Sequence, residues 1–232
     1  MPEVVYHVTQ RGVNREEVFF TQQDRETYLH LVQDHKQDSG IRVLAWCLMT
    51  NHVHWVVVPE RSDSLAILFR RVHGRYAQYL NARKRRTGHL WQNRYFSCPV
   101  AIEREEVVLR YVEWNPVRAG LVNCPEEYRW SSAASHLVGP KAERVPLLDW
   151  THWQQKGGVE EWRRLLKQVE DVRDVHALRR ATYAGSPLGP ESFVAAMEEQ
   201  FGRKWQAQGR PRKKDAGNVK KGMELSASLF VA

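Results

Sequence analysis

Residues 41–49 (IRVLAWCLM), 50–51 (TN) and 52–59 (HVHWVVVP) make one apolar run broken only by a short polar pair. Val, Ile, Leu and Trp at this density favour extended chain, and a two-residue connection is what an antiparallel hairpin needs. Working outward, residues 4–10 (VVYHVTQ) read as a strand, followed by a turn from Arg11-Gly12 to Arg15. Asp24 reads as the N-cap of a helix reaching about Asp38, with Tyr28, Leu31 and Val32 on its inner side and Gly40 past its end. From Ser64 onward, Leu65, Leu68, Phe69, Val72, Tyr76, Tyr79 and Leu80 recur at helical spacing, up to Gly88. Residues 90–100 predict a further strand, and residues 105–115 a helix with Val108, Leu109 and Val112 facing inward. The order β-α-β-β-α-β-α predicts the α+β class: a ferredoxin-like antiparallel sheet with helices over one face. After Gly139-Pro140 the character changes. Trp162, Leu165, Leu166, Val169 and Val172 predict one amphipathic helix, and Phe193, Met197 and Phe201 a second after Pro190. The chain thus divides into a main domain at 1–138, a helical C-terminal extension at 139–204 and a basic tail at 205–232, expected to be disordered.

Charge narrows the partner. Lys and Arg number 35 against 27 Asp and Glu, a net charge of +8, and a 42% hydrophobic content supports a packed core. No acidic residue lies between Asp63 and Glu103, whereas Arg70, Arg71, Arg75, Arg83, Lys84, Arg85, Arg86 and Arg94 all fall inside that gap. Tyr76, Tyr79, Trp91, Tyr95 and Phe96 are interleaved with them, a pattern suited to a phosphate backbone whose bases stack, as in single-stranded nucleic acid. For Tyr76 and Tyr79 a place in the core is an equal alternative. A second basic cluster, Arg210, Arg212, Lys213, Lys214, Lys220 and Lys221, closes the chain. The three cysteines, Cys47, Cys98 and Cys124, form no C-x-x-C pair, which argues against a disulfide framework or a cysteine zinc site and leads us to expect a reducing cytoplasm. The N-terminus lacks the apolar core of a signal peptide, and no run approaches the ~20 apolar residues of a membrane span.

Two short motifs carry chemistry. In His52-Val53-His54, strand alternation puts both imidazoles on one face, where they can chelate one metal; two polar residues on a solvated face are the alternative. The very apolar strand that follows, Trp55 to Val58, favours their use. In YVEWNP (111–116), Tyr111 and Asn115 are four apart and would share one helix face, with Glu113 turned away, although Pro116 disfavours helical geometry at Asn115.

LMTNHVH (48–54), WQNRY (91–95) and YVEWNPVRAGL (111–121) together resemble the single-tyrosine HUH transposases, and more closely the REP-associated tyrosine transposases of the IS200-like superfamily. YHVTQRG (6–12) resembles their opening strand and YRWSS (128–132) the segment after the tyrosine helix, so the resemblance spans about residues 4–137. GSPLG (185–189) and GRPRK (209–213) are similar to the C-terminal extension of longer members.

This resemblance implies DNA transposition: nicking of single-stranded DNA near palindromic hairpin repeats and rejoining through a 5′-phosphotyrosine intermediate. It implies Tyr111 as nucleophile, and His52, His54 and Asn115 as ligands of a divalent metal, Mg²⁺ or Mn²⁺. Arg11 joins the arginines and lysine of the acid-free stretch as a DNA contact. A monomer and a homodimer both remain open. So do two other functions: a non-cleaving, sequence-specific hairpin DNA- or RNA-binding regulator on the same fold, and a nuclease using water in place of the tyrosine.

Overall fold

A computed structural model describes residues 1–168 and 170–205. Strands β1 (Val5–Arg11), β2 (Ile41–Leu48), β3 (His52–Pro59) and β4 (Phe96–Val100) form one sheet in the order β2-β3-β1-β4, antiparallel throughout. The hairpin closes as its sequence predicts, with the Met49 N–H donating to the His52 carbonyl at 2.9 Å. In register, Arg11 pairs with His52 and Thr9 with His54.

Every position of β3 is buried, so its alternation separates two apolar faces rather than an apolar and a wet one. Val53, Trp55 and Val57 join Tyr6, Val8, Trp46 and Leu48 in one core, while Val56 and Val58 join Val5, Leu44, Ala45 and Cys47 in another. A register shift between Val43 and Ala45 turns both Leu44 and Ala45 to the second face. Helices α1 (Gln22–Lys36) and α2 (Ser64–Lys84) cover the first face, and α3 (Glu105–Glu113) packs on the second. The expected one-sided cover is thereby corrected: two apolar faces demand two helical layers.

Local chemistry moves several boundaries. Thr21, not Asp24, is the N-cap of α1; Asp24 sits at the third helical position and closes a capping box, accepting from the Thr21 backbone N–H at 2.8 Å. Only residues 96–100 of the predicted 90–100 strand are regular. Trp91 turns inward to donate to the His73 carbonyl, and the Gln10 side chain takes the Asn93 carbonyl where a ladder bond would stand. The tyrosine helix stops at Glu113, and Asn115–Arg118 form a separate turn, α4, with Pro116 in its first positions, where the missing N–H costs nothing. Tyr76 is a core residue whose hydroxyl donates to the Val18 carbonyl at 2.6 Å, and Tyr79 donates to Asp24.

Beyond α5 (Ala133–Val138) come α6 (Trp150–Gln155), α7 (Gly158–Lys167), α8 (Val172–Ala184) and α9 (Glu191–Phe201). Val172 does not continue the face of Trp162, Leu165 and Leu166: it is exposed and opens α8 behind an Asp171 cap. Phe201 is likewise exposed, leaving Met197 as the buried side chain of α9. Trp162, Leu165 and Leu166 of α7 and Leu178 and Ala181 of α8 share the second core with the sheet. Past α8, Gly185 takes a left-handed φ of 61°, and Leu188 pairs in parallel with Val100, covering the open edge of β4. Val169 and the C-terminal basic cluster lie outside the described residues, as does the GRPRK motif. No helix among the described residues is long and apolar enough to cross a membrane.

Candidate active site

The second face of the sheet carries the polar residues that strand alternation placed together. His52 and His54 are both buried, with ring centroids 4.9 Å apart and planes at 83°. Each uses Nδ1 within the protein: His52 against the Asn51 side-chain oxygen at 2.6 Å, His54 against Nε2 of His7 at 2.9 Å. His7 in turn meets the Thr182 hydroxyl through its own Nδ1 at 2.8 Å. Nε2 of His52 and of His54 makes no hydrogen bond among the described residues. Burial pushes the imidazoles of His7 and His52 down to about 3, with Arg118 adding to it at His7 and Arg11 and Arg179 at His52. Burial, then His52, His7, Arg118 and Arg11, hold His54 well below its ordinary value too. The cluster is therefore neutral at pH 7, the form in which imidazole binds metals.

Tyr111 reaches this face from α3, whose Val108, Leu109 and Val112 fill the core beneath. Glu113 fixes the end of that helix. Its buried carboxylate accepts from Ser132 at 2.5 Å, His136 Nδ1 at 2.7 Å and Trp162 Nε1 at 2.8 Å, tying α3 to α5 and α7. The Tyr111 ring stands edge-on to His54 and His7, each with a centroid 5.7 Å away. The Arg118 guanidinium lies 4.2 Å from the ring centroid, donates to the Tyr111 carbonyl, and is neutralised by Glu170 at 2.7 Å. The Tyr111 hydroxyl accepts from Arg179 Nε at 3.3 Å.

The residues named from sequence divide into those the fold gathers and those it separates. His52, His54 and Tyr111 converge, and Arg11 stands beside His52 through the strand register. Asn115 is buried at the head of α4, beyond the helix break, and its Nδ2 has no hydrogen-bond partner among the described residues. Arg70, Arg71 and Arg75 are exposed on α2, in the layer on the other side of the sheet. Arg83 pairs with buried Asp24 at 2.7 Å, Lys84 sits 3.7 Å above the Phe20 ring, and Arg86 bonds Asn81 at 2.9 Å. Arg85 and Arg94 are exposed and, with Arg70, Arg71 and Arg75, form no ion pair among the described residues. Sequence reading missed His7, Arg118, Arg179 and Thr182 as site residues. His7 lay in a quoted motif, but its role depends on how β1 meets β3, and Arg179 and Thr182 arrive from a distant helix with no local signal.

A family model described as "Transposase IS200 like" matches residues 1–115. Among solved structures, a REP-associated tyrosine transposase bound to a REP hairpin is 17% identical over 64% of this chain and 87% of that one, with a TM-score of 0.53, a likeness of fold. A candidate transposase of Deinococcus radiodurans is 16% identical over 49% of this chain and 91% of that one, with a TM-score of 0.37. No curated protein matches the chain. Residues 1–115, which include the histidine pair and the tyrosine helix, match the IS200-like transposase family.

Proposed function

We propose that this transposase is a metal-dependent single-stranded DNA endonuclease and strand transferase, cutting and rejoining DNA beside hairpin repeats with Tyr111 as its nucleophile. The observation that carries this reading is the meeting of Tyr111 with His54, ring centroids 5.7 Å apart, from a helix and a strand distant in sequence. A REP hairpin is the ligand of the solved relative, and hairpin DNA is the substrate class proposed here.

The donor set fits a divalent cation. Two neutral imidazoles keep Nε2 free of hydrogen bonds among the described residues and on one face, and the buried Asn115 carboxamide would offer Oδ1 as an oxygen donor. No three His, Cys, Asp or Glu side chains among the described residues are arranged as a metal cage, so two imidazoles, an amide and water make up the proposed set. Such a set suits Mg²⁺ or Mn²⁺ better than a structural zinc. When bound, the cation supplies Lewis acidity to a phosphoryl oxygen.

The residues perform the rest. The hydrogen-bond chain can run in two directions, and only one leaves a lone pair on His54 Nε2: His54 Nδ1–H donating to His7, and His7 Nδ1–H to Thr182. Arg118 under the ring and Glu113 below it hold Tyr111 in place. Its oxygen attacks phosphorus and loses its proton to water; the bond from phosphorus to the upstream O3′ breaks, and that oxygen takes up a proton. A 5′-phosphotyrosine remains, and because the ester energy is kept, a 3′-hydroxyl reverses the step and joins strands. Arg11, beside His52, is placed to contact the backbone near the cut, while Arg70, Arg71 and Arg75, across the sheet, serve more distant phosphates.

The test is incubation with end-labelled hairpin oligonucleotides in Mn²⁺ or EDTA. A metal-dependent, SDS-resistant adduct mapping to Tyr111, absent in Tyr111→Phe, supports the reading. Tight binding without adduct or cleavage, over a panel of hairpins from the flanks of the gene, favours the non-cleaving regulator. Cleavage that persists in Tyr111→Phe makes water the nucleophile.

A further inference from the structure

We propose that Arg179, on helix α8 and outside the residues the family model matches, is a catalytic residue that accompanies the nucleophile's oxygen and takes the scissile phosphate. The inference rests on the reading of Tyr111 as nucleophile. Three observations carry it.

The first is position. Arg179 Nε donates to the Tyr111 hydroxyl at 3.3 Å, and its guanidinium carbon stands 5.9 Å from the ring centroid, whereas Arg118 binds the ring face and the carbonyl. The two cations therefore act on different parts of one residue. The second is charge. Arg118 is neutralised by Glu170, but Arg179 has no carboxylate partner among the described residues, and its terminal nitrogens make no hydrogen bond there. It also lies close enough to His52 to act on that imidazole electrostatically. An uncompensated guanidinium at the nucleophile's hydroxyl, within electrostatic reach of His52, is arranged for an arriving anion. The third is rigidity. Leu178, Ala181 and Thr182 flank Arg179 and are buried, and Thr182 is bonded to His7, so α8 holds the side chain at the site from a fixed backbone.

In the reaction described above, Arg179 forms no covalent bond. Its Nε–H stays with the Tyr111 oxygen as the proton leaves, and its terminal N–H groups meet a non-bridging oxygen whose charge rises as the tyrosine oxygen adds to phosphorus. The C-terminal extension is then part of the catalytic apparatus, in the same chain.

The experiment compares wild type, Arg179→Ala, Arg179→Gln and Arg179→Lys for adduct formation on a cleavable hairpin oligonucleotide, hairpin Kd and thermal midpoint. The adduct rate of Arg179→Ala should fall by about 100-fold or more, as when a positioned transition-state donor is removed. Hairpin Kd should stay within about threefold, since one phosphate contact among many is lost. Arg179→Lys should keep part of the rate, and added guanidinium should restore part of it to Arg179→Ala. A wild-type rate in Arg179→Ala overturns the proposal, and so does a rate loss that only follows lost binding or a lowered midpoint in both the Ala and Gln variants. Failure of the wild type itself to form a Tyr111 adduct brings down the functional reading first, which separates the two.

Discussion

Replacing Glu113 by Ala removes the acceptor on which α3, α5 and α7 converge, and the structure sets the expected cost. Three donors meet this carboxylate, but the Ser132 hydroxyl has a second acceptor in the Trp46 carbonyl at 3.3 Å, so it can turn away. Among the described residues His136 Nδ1 and Trp162 Nε1 have no such alternative and are left buried and unpaired. At ~1–3 kcal/mol for each orphaned donor, the loss comes to about 4 kcal/mol, within the range for breaking a buried polar cluster by removing one partner. Urea unfolding followed by tryptophan fluorescence and far-UV dichroism reads it directly. With a slope of about 2 kcal/mol per molar, the midpoint should fall by roughly 2 M. Glu113→Gln keeps the shape and one oxygen and should cost less. A loss below about 1 kcal/mol in Glu113→Ala would refute the reasoning, since the cluster would then be replaceable by water or by relaxation of α5.

Three further outcomes are expected. His7→Ala should weaken Mn²⁺ binding by about 10- to 100-fold in calorimetry, because it removes the group that orients His54; unchanged affinity would leave His7 a packing residue. A chain ending at Val138 should lose its cooperative unfolding transition, because Trp162, Leu165, Leu166, Leu178 and Ala181 are taken from the core under the tyrosine helix; a sharp transition in the truncated chain would contradict this. His73, held down to about 3 by burial against an ordinary 6.5, takes a proton in the unfolded chain well before the folded one. Its contribution is complete above pH 6.5 and is lost as pH falls toward 3, at ~1.4 kcal/mol per pH unit. Between pH 7 and pH 5 the wild type should therefore lose about 2 kcal/mol more than His73→Gln, and parallel urea midpoints for the two would rule that out.

Where local sequence and fold agree, the cause is periodicity. The hairpin at 41–59 and the helix from Ser64 are specified by alternation and by 3.6-residue spacing, which need no partner to be read. Alternation alone also set His52 and His54 side by side. It did not reveal that the far face of the sheet is equally apolar and demands a second helical layer, because a strand buried on both sides shows no contrast between its faces. The tyrosine helix was legible, as was the disturbance at Pro116, while Glu113 could be read only as turned away from Tyr111, and its partners on α5 and α7 appear only in the fold.

What the sequence by itself determined was the strand and helix order, the histidine pair, the tyrosine and the basic character, all carried by spacing within short segments. Only the tertiary structure decided which of the many arginines stand at the tyrosine. Those of α2 dominate the sequence yet lie across the sheet, while Arg118 follows a helix break and Arg179 comes from the C-terminal extension. The same holds for His7, whose bond to His54 exists because β1 and β3 pair in one register. The physical reason is that hydrophobic periodicity is local, whereas the approach of one polar group to another across the chain is fixed by how whole layers pack.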